Sequence, residues 1–207
     1  MKLNRTTVAS ITLGAIALGL LTGCTTSAPQ ATESPSPTPT PTETARGPVA
    51  PPESEEEAIE QADAVLTEWF ETRGAVNATA GTALDTAPLE ELSTGRALEF
   101  SVNDATQIST GPILNVDEVN VEGPGTSEGA MTFETRNAYG QEWEGIENGL
   151  VTINACQDAS DYQVYASDGS EAMMHPDPRQ LFDYQVVYDA DREAWLVSDL
   201  ISLGQTC

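Results

Sequence analysis

A change of apolar period within residues 53–207 constrains the fold more than any other feature of this chain. Ala58, Ile59, Ala62, Val65, Leu66, Trp69 and Phe70 recur at three- and four-residue spacing and make one apolar stripe along a helix. After residue 106 the spacing becomes two, with Met131, Phe133 and Thr135 alternating against Thr132, Glu134 and Arg136. Helices followed by a run of strands specify an α+β domain, its N-terminal helices packed on a curved antiparallel sheet.

Local signals punctuate that pattern. Ser54 with Glu57 is a capping box, and Glu55 and Glu56 lie where the helix dipole favours anions. Arg73 followed by Gly74 predicts the end of the first helix, and the weakly hydrophobic Ala75–Ala87 stretch predicts a loop. Pro88 suits the first turn of a second helical region with Leu89, Leu92, Ala97, Leu98 and Val102 inward and a break at Ser93–Gly95. Among the strands, Gly123-Pro124-Gly125 reads as hairpin chemistry after Val119 and Val121, and a turn is expected around Gly140. Leu150–Cys156 and Tyr162–Ala166 are β-rich, the latter leading into a turn at Ser167-Asp168-Gly169. Phe182–Tyr188 and Ala194–Leu200 flank Asp189-Ala190-Asp191 as a final hairpin. A domain of this length buries about two-thirds of its unfolded surface, so it needs neither a metal nor many crosslinks to fold.

The N-terminal residues fix the expected compartment. Lys2 and Arg5 precede an apolar stretch from Val8 to Leu21, too short for a permanent span and suited to a signal-peptide core. It ends in Leu21-Thr22-Gly23-Cys24, which resembles the bacterial lipobox. The resemblance implies cleavage of residues 1–23, a diacylglycerol thioether on Cys24, in many bacteria N-acylation as well, and a membrane anchor on the extracytoplasmic face. Two acyl chains meet the requirement for stable attachment. Residues 24–52 are then the lipidated cysteine and a Pro/Thr-rich linker, including Ser34-Pro35-Ser36-Pro37-Thr38-Pro39-Thr40-Pro41. Such a run has little to bury and favours polyproline II, so it would reach roughly 80 Å fully extended.

Charge narrows the partners. Cleavage removes Lys2 and Arg5 and leaves six basic side chains against 33 acidic ones, a formal charge of −27. Residues 53–207 carry five Arg and no Lys, which disfavours nucleic acid, because phosphate contacts need clustered cations. The predicted partners are therefore the membrane, reached through Cys24, and an envelope protein.

The order of elements, a long helix, a short helical region, a strand meander and a last hairpin ending in Trp195-Leu196-Val197, resembles the nuclear transport factor 2-like superfamily, a cone-like arrangement also described as cystatin-like. Cys156-Gln157-Asp158, the Asp168-Gly169 turn and Trp195 followed by Cys207 are similar to small lipoproteins of actinobacteria. The resemblance implies a cone cavity between the first helix and the sheet, with Trp69, Phe70, Phe133, Trp143 and Tyr165 as candidate lining. It brings no catalytic residue with it, since that fold serves enzymes, binding proteins and scaffolds alike.

The remaining chemistry is sparse. With Cys24 lipidated, Cys156 and Cys207 are an even pair in an oxidising compartment; a disulfide, a buried free thiol and a reactive thiol are the alternatives. His175, the sole histidine, lies in the Pro-rich Met174-His175-Pro176-Asp177-Pro178 and reads as an exposed loop residue. A histidine zinc site, a Cys/His dyad and a Gly-x-Ser-x-Gly elbow all lack parts. Asp158, Asp161 and Asp168 could offer oxygens to Ca²⁺ but lack EF-hand spacing, and read as turn formers. No cofactor is expected. The expectation is a non-catalytic, surface-anchored, partner-binding lipoprotein. A carrier of a small apolar ligand in the cone, an isomerase- or dehydratase-like enzyme with a buried carboxylate base, and a Ca²⁺-dependent adhesion module are the alternatives.

Overall fold

Ser54 opens the first helix as its capping-box spacing requires. Its hydroxyl accepts the Glu57 N–H at 3.2 Å, and the Glu57 carboxylate accepts the Glu53 N–H at 2.8 Å. The structure, a computed structural model, describes residues 47–207; the expected leader, Cys24 and most of the expected linker lie outside the described residues. The chain is α+β. Helices α1 (Glu55–Ala80), α2 (Ala87–Leu92) and α3 (Gly95–Thr110) precede eight strands: β1 (Ile113–Leu114), β2 (Asn120–Val121), β3 (Thr126–Glu128), β4 (Thr132–Trp143), β5 (Ile146–Asp158), β6 (Gln163–Tyr165), β7 (Arg179–Asp189) and β8 (Ala194–Thr206). The long strands form one antiparallel sheet in the order β4-β5-β7-β8, while β1 pairs with β2 and β3 with β6.

The fold starts before residue 53. Val49 N–H donates to the Glu193 carbonyl, and the Tyr188 hydroxyl donates to the Val49 carbonyl, both at 2.7 Å. The linker boundary therefore falls a few residues earlier than composition suggests.

Helix α1 does not stop at Arg73-Gly74. Its inner face continues through Arg73, Val76, Asn77 and Ala80, all buried, so tertiary burial extends the helix across the glycine. A Cβ at Gly74 would meet nothing within 4 Å. Gly74→Ala is thus expected to stabilise the domain by about 0.5–1 kcal/mol, by lowering the backbone entropy of the unfolded chain, and to raise the urea midpoint. A fall in the midpoint would show that the position is not the open helix interior described. The break at Ser93–Gly95 is present and has a structural cause: the chain crosses the edge of β8. Ser93 is buried and bridges Val197, and Thr94 N–H donates to the Val197 carbonyl at 2.9 Å. Gly95 follows at φ +54°, where a Cβ would lie 3.0 Å from the Ser198 carbonyl oxygen.

Two expected turns are corrected. Gly123-Pro124-Gly125 is not a hairpin, because β2 and β3 belong to different two-stranded sheets; it is a corner held by Gly125 N–H on the Ile108 carbonyl at 2.7 Å. Gly140 lies inside β4 opposite Val151, and the reversal comes at Glu144 and Gly145, both at positive φ. Gly140 serves close packing instead, since a Cβ there would come 2.6 Å from the Asn148 side-chain oxygen. The final hairpin is as expected, with the Asp189 carboxylate accepting the N–H groups of Asp191 and Arg192 at 3.0 Å.

The main core packs Leu66, Trp69 and Phe70 of α1 against Val151 and Ile153 of β5, Tyr184 and Val186 of β7, and Trp195 and Val197 of β8. Trp69 and Tyr184 are fully enclosed, so the expected cone is packed at its centre and open space remains only to one side, between α1 and β4. A second cluster joins the end of α1 to α2, α3, β1 and β6 through Val76, Leu89, Ile108, Ile113 and Val164, with Tyr162 beside them. Burial pushes the Tyr184 phenol well above its ordinary pKa; Tyr162 is also raised, by burial first and by the nearby Asp104 charge second. Both stay neutral in the fold when the unfolded phenols ionise. Their contribution is therefore flat below about pH 10 and is lost above it, at up to about 1.4 kcal/mol per pH unit for each tyrosine. Urea midpoints from pH 9 to 11 should fall along this slope, and Tyr184→Phe should make it shallower.

Candidate functional site

Asp63, Thr67, Phe70, Glu71, Gly74 and Ala75 recur at helical spacing, so one flank of α1 carries them all. That flank runs beside the segment from Gly129 to Phe133 and Thr135, and the two banks enclose a groove of about 730 Å³. Phe70 and Phe133 form its floor, stacked at 4.9 Å between ring centroids, with Met131 beside them. Phe70 is locked from behind by edge contacts with Trp69 at 5.2 Å and Tyr184 at 5.6 Å, so the floor is rigid. Asp63 ties the banks together by accepting the Thr135 hydroxyl at 2.8 Å. With Glu71 it makes an acidic rim, and no Arg or Lys lines the groove among the described residues. The arrangement can hold apolar side chains on its floor and cations at its lip.

The five expected aromatics do not share a pocket. Phe70 and Phe133 line the groove. Trp69 lies behind them in the core, Trp143 is 39% exposed at the far end of β4, and Tyr165 is on β6, opposite Thr126 in another sheet. The resemblance offers these rings as one lining, but their placement follows from which sheet each strand joins. Met131, Asp63, Glu71, Gly74 and Ala75 were missed as groove residues. Their signal is the polar-and-small stripe beside the apolar face of α1, which by itself looks like solvated surface.

Arg73, expected at a helix end, is instead buried within the helix. It donates to the Asp104 carboxylate at 3.0 Å and stacks over Phe100 at 4.7 Å and Trp69 at 5.5 Å. Asn77 donates to Asp104 at 2.8 Å and to the Tyr162 hydroxyl at 2.9 Å. Trp69 Nε1, Arg73 Nε and Nη1, and Asn77 Oδ1 have no hydrogen-bond partner among the described residues. This seam ties α1 to α3 and to the turn before β6, and its polar groups line no groove of the described residues.

The other sequence candidates are dispersed. Cys156 and Cys207 are disulfide-bonded, with Cα atoms 5.9 Å apart, joining the end of β8 to β5. His175 is exposed in a loop, its Nδ1 accepting the Asp177 N–H at 3.1 Å. Asp158 pairs with Arg179 at 3.3 Å, and its bonds to Ser160 lower its pKa; Asp168 is held low in the same way by Ser170. Asp161 is exposed. Among the described residues no group of three or more His, Cys, Asp or Glu is placed to hold a metal ion, and no helix is long and apolar enough to cross a membrane.

No family model matches this chain, and no curated protein matches it. Among solved structures it is similar to the crystal structure of the intermembrane space region of chloroplast protein ARC6, at 12% identity and a TM-score of 0.44, over 70% of this chain and 96% of that one.

Proposed function

We propose that this chain is a lipid-anchored bacterial lipoprotein of the extracytoplasmic membrane face whose domain is a non-catalytic binding module for an envelope protein. The groove between α1 and β4 carries this reading: it joins a rigid aromatic floor to an acidic rim, the pattern of a site that holds an apolar anchor within a polar border. The lipobox at Leu21–Cys24 and the Pro/Thr linker support the anchor and the spacer. The crosslink between Cys156 and Cys207 suits an oxidising compartment. Helices followed by an antiparallel meander, with register shifts in β4 and between β7 and β8, support a sheet bent around α1 in the nuclear transport factor 2-like or cystatin-like manner.

The alternatives find less support. A small apolar ligand would have to use the same groove, whose acidic rim at Asp63 and Glu71 gives such a ligand no charge to match. A carboxylate base would need to be inside, and among the described residues the buried polar side chains are Arg73, Asn77, Ser93, Ser101, Asn115 and Thr152.

Two measurements test the proposal. Radiolabelled palmitate should enter the protein, and Cys24→Ser should abolish both label and membrane fractionation. A photo-crosslinker at Ala75 in the groove should yield one discrete adduct in intact cells, and one at the exposed Ala190 none. An unlabelled protein overturns the anchor; equal adducts at both positions, or none, overturn the binding module.

A further inference from the structure

The groove borders an unpaired strand. β4 stands at the edge of the four-stranded sheet, with β5 on one side only. Its far half is occupied, because the Gly140 N–H donates outward to the Glu55 carboxylate at 3.0 Å. A register shift between Thr135 and Asn137 separates that half from Thr132–Thr135, the stretch that lines the groove. Among the described residues no other hydrogen bond reaches the β4 backbone from outside its sheet.

Covering this edge imposes a condition on whatever covers it. A helix laid in the groove would desolvate the free N–H and C=O groups of Thr132–Thr135 without pairing them, and each group so stranded carries its full desolvation penalty. An extended segment pairs them and places alternate side chains toward the floor. The electrostatics choose its composition. Asp63 and Glu71 stand on the helical bank, in a domain with thirty-one Asp and Glu against five Arg. An acidic segment would meet like charge there, whereas Lys or Arg would meet opposite charge.

We propose that the groove receives an extended, cation-rich segment of a partner protein, which adds as a strand to Thr132–Thr135 of β4, sets apolar side chains against Phe70, Met131 and Phe133, and faces Asp63 and Glu71 with Lys or Arg. This deepens the binding-module reading and rests on it.

The test pans a phage-displayed library of random nine-residue peptides against the full mature chain in detergent micelles. Enriched sequences are expected to alternate apolar residues with Lys or Arg. A synthetic copy of the leading sequence should bind about tenfold more weakly to the Asp63→Asn/Glu71→Gln variant, which removes two rim charges while the amide oxygen introduced at position 63 still accepts the Thr135 hydroxyl. N-methylation of its alternate amides should weaken it by about tenfold, since edge pairing is lost. Gly74→Leu, which adds a side chain into the groove from a position with open space around it, should abolish binding with its urea midpoint unimpaired. Neutral or acidic enriched sequences, no enrichment, or indifference to N-methylation would each overturn the proposal. If any of these occurs while the Ala75 adduct persists in cells, the occupant class falls and the binding module stands. If the adduct is also absent, both fall.

Discussion

Asp104→Ala is expected to destabilise the domain by about 3 kcal/mol, whereas the Arg73→Met/Asp104→Leu pair should stay within about 1 kcal/mol of the parent. The asymmetry follows from where the charges sit. The Arg73 side chain is 5% exposed and Asp104 26% exposed, so losing the carboxylate strands a guanidinium that water barely reaches. Two further Arg73 nitrogens already lack partners, and Asn77 would lose its acceptor as well. Removing both charges returns the seam to apolar packing between Trp69 and Phe100, which costs little because the desolvation penalty disappears with the ions. Partial exposure of Asp104 places the single-variant effect at the lower end of the range for buried pairs. Urea unfolding at pH 7 of the parent, Arg73→Met, Asp104→Leu and the double variant closes the cycle. Additive effects, with the double variant as unstable as the sum of its parents, would mean that Arg73 is not held by Asp104.

Replacing Cys156 and Cys207 together by serine should cost about 4 kcal/mol, a large share of a small domain's stability margin, from restored freedom of the unfolded chain across the 51-residue separation. The loss should also be local. From Ser202 on, β8 is partly or fully exposed and is held by its ladder to β7 and by the crosslink to β5, so amide exchange should rise first at Gly204–Thr206. A reductant that left the urea midpoint where it was would contradict this, as would uniform exchange along β8. Cys156 is 1% exposed, so the serine variant also carries a buried hydroxyl; Cys156→Ala/Cys207→Ala separates the two contributions.

Much of the architecture was legible in the order of residues, and the reasons are local. The start of α1 follows from Ser54 and Glu57, three residues apart. Pro88 sits in the first turn of α2. The β7–β8 hairpin follows from Asp189, whose carboxylate reaches only two and three residues ahead. The misreadings share the opposite cause. Gly74 looked like a stop because nothing nearby in sequence shows that Arg73 and Asn77 would find Asp104 some thirty residues on. Gly140 looked like a turn because Asn148, the neighbour that needs its missing Cβ, comes from the next strand.

The candidate site divides along the same line. Phe70 and Phe133 were identifiable as large rings on their elements, but so were Trp69, Trp143 and Tyr165, which lie elsewhere. The sequence alone determined a helix-then-strand domain, where its helices begin, which residues reverse the chain at its last hairpin, and a surplus of negative charge. Capping, turn chemistry and periodicity act over a few residues and so are written along the chain. Tertiary structure alone decided that α1 runs on past Gly74, that Trp69 and Tyr184 close the centre of the core, and that a polar flank of α1 faces an open edge of β4. Each of those depends on contacts between residues dozens of positions apart, whose free energy exists only once the chain has closed on itself.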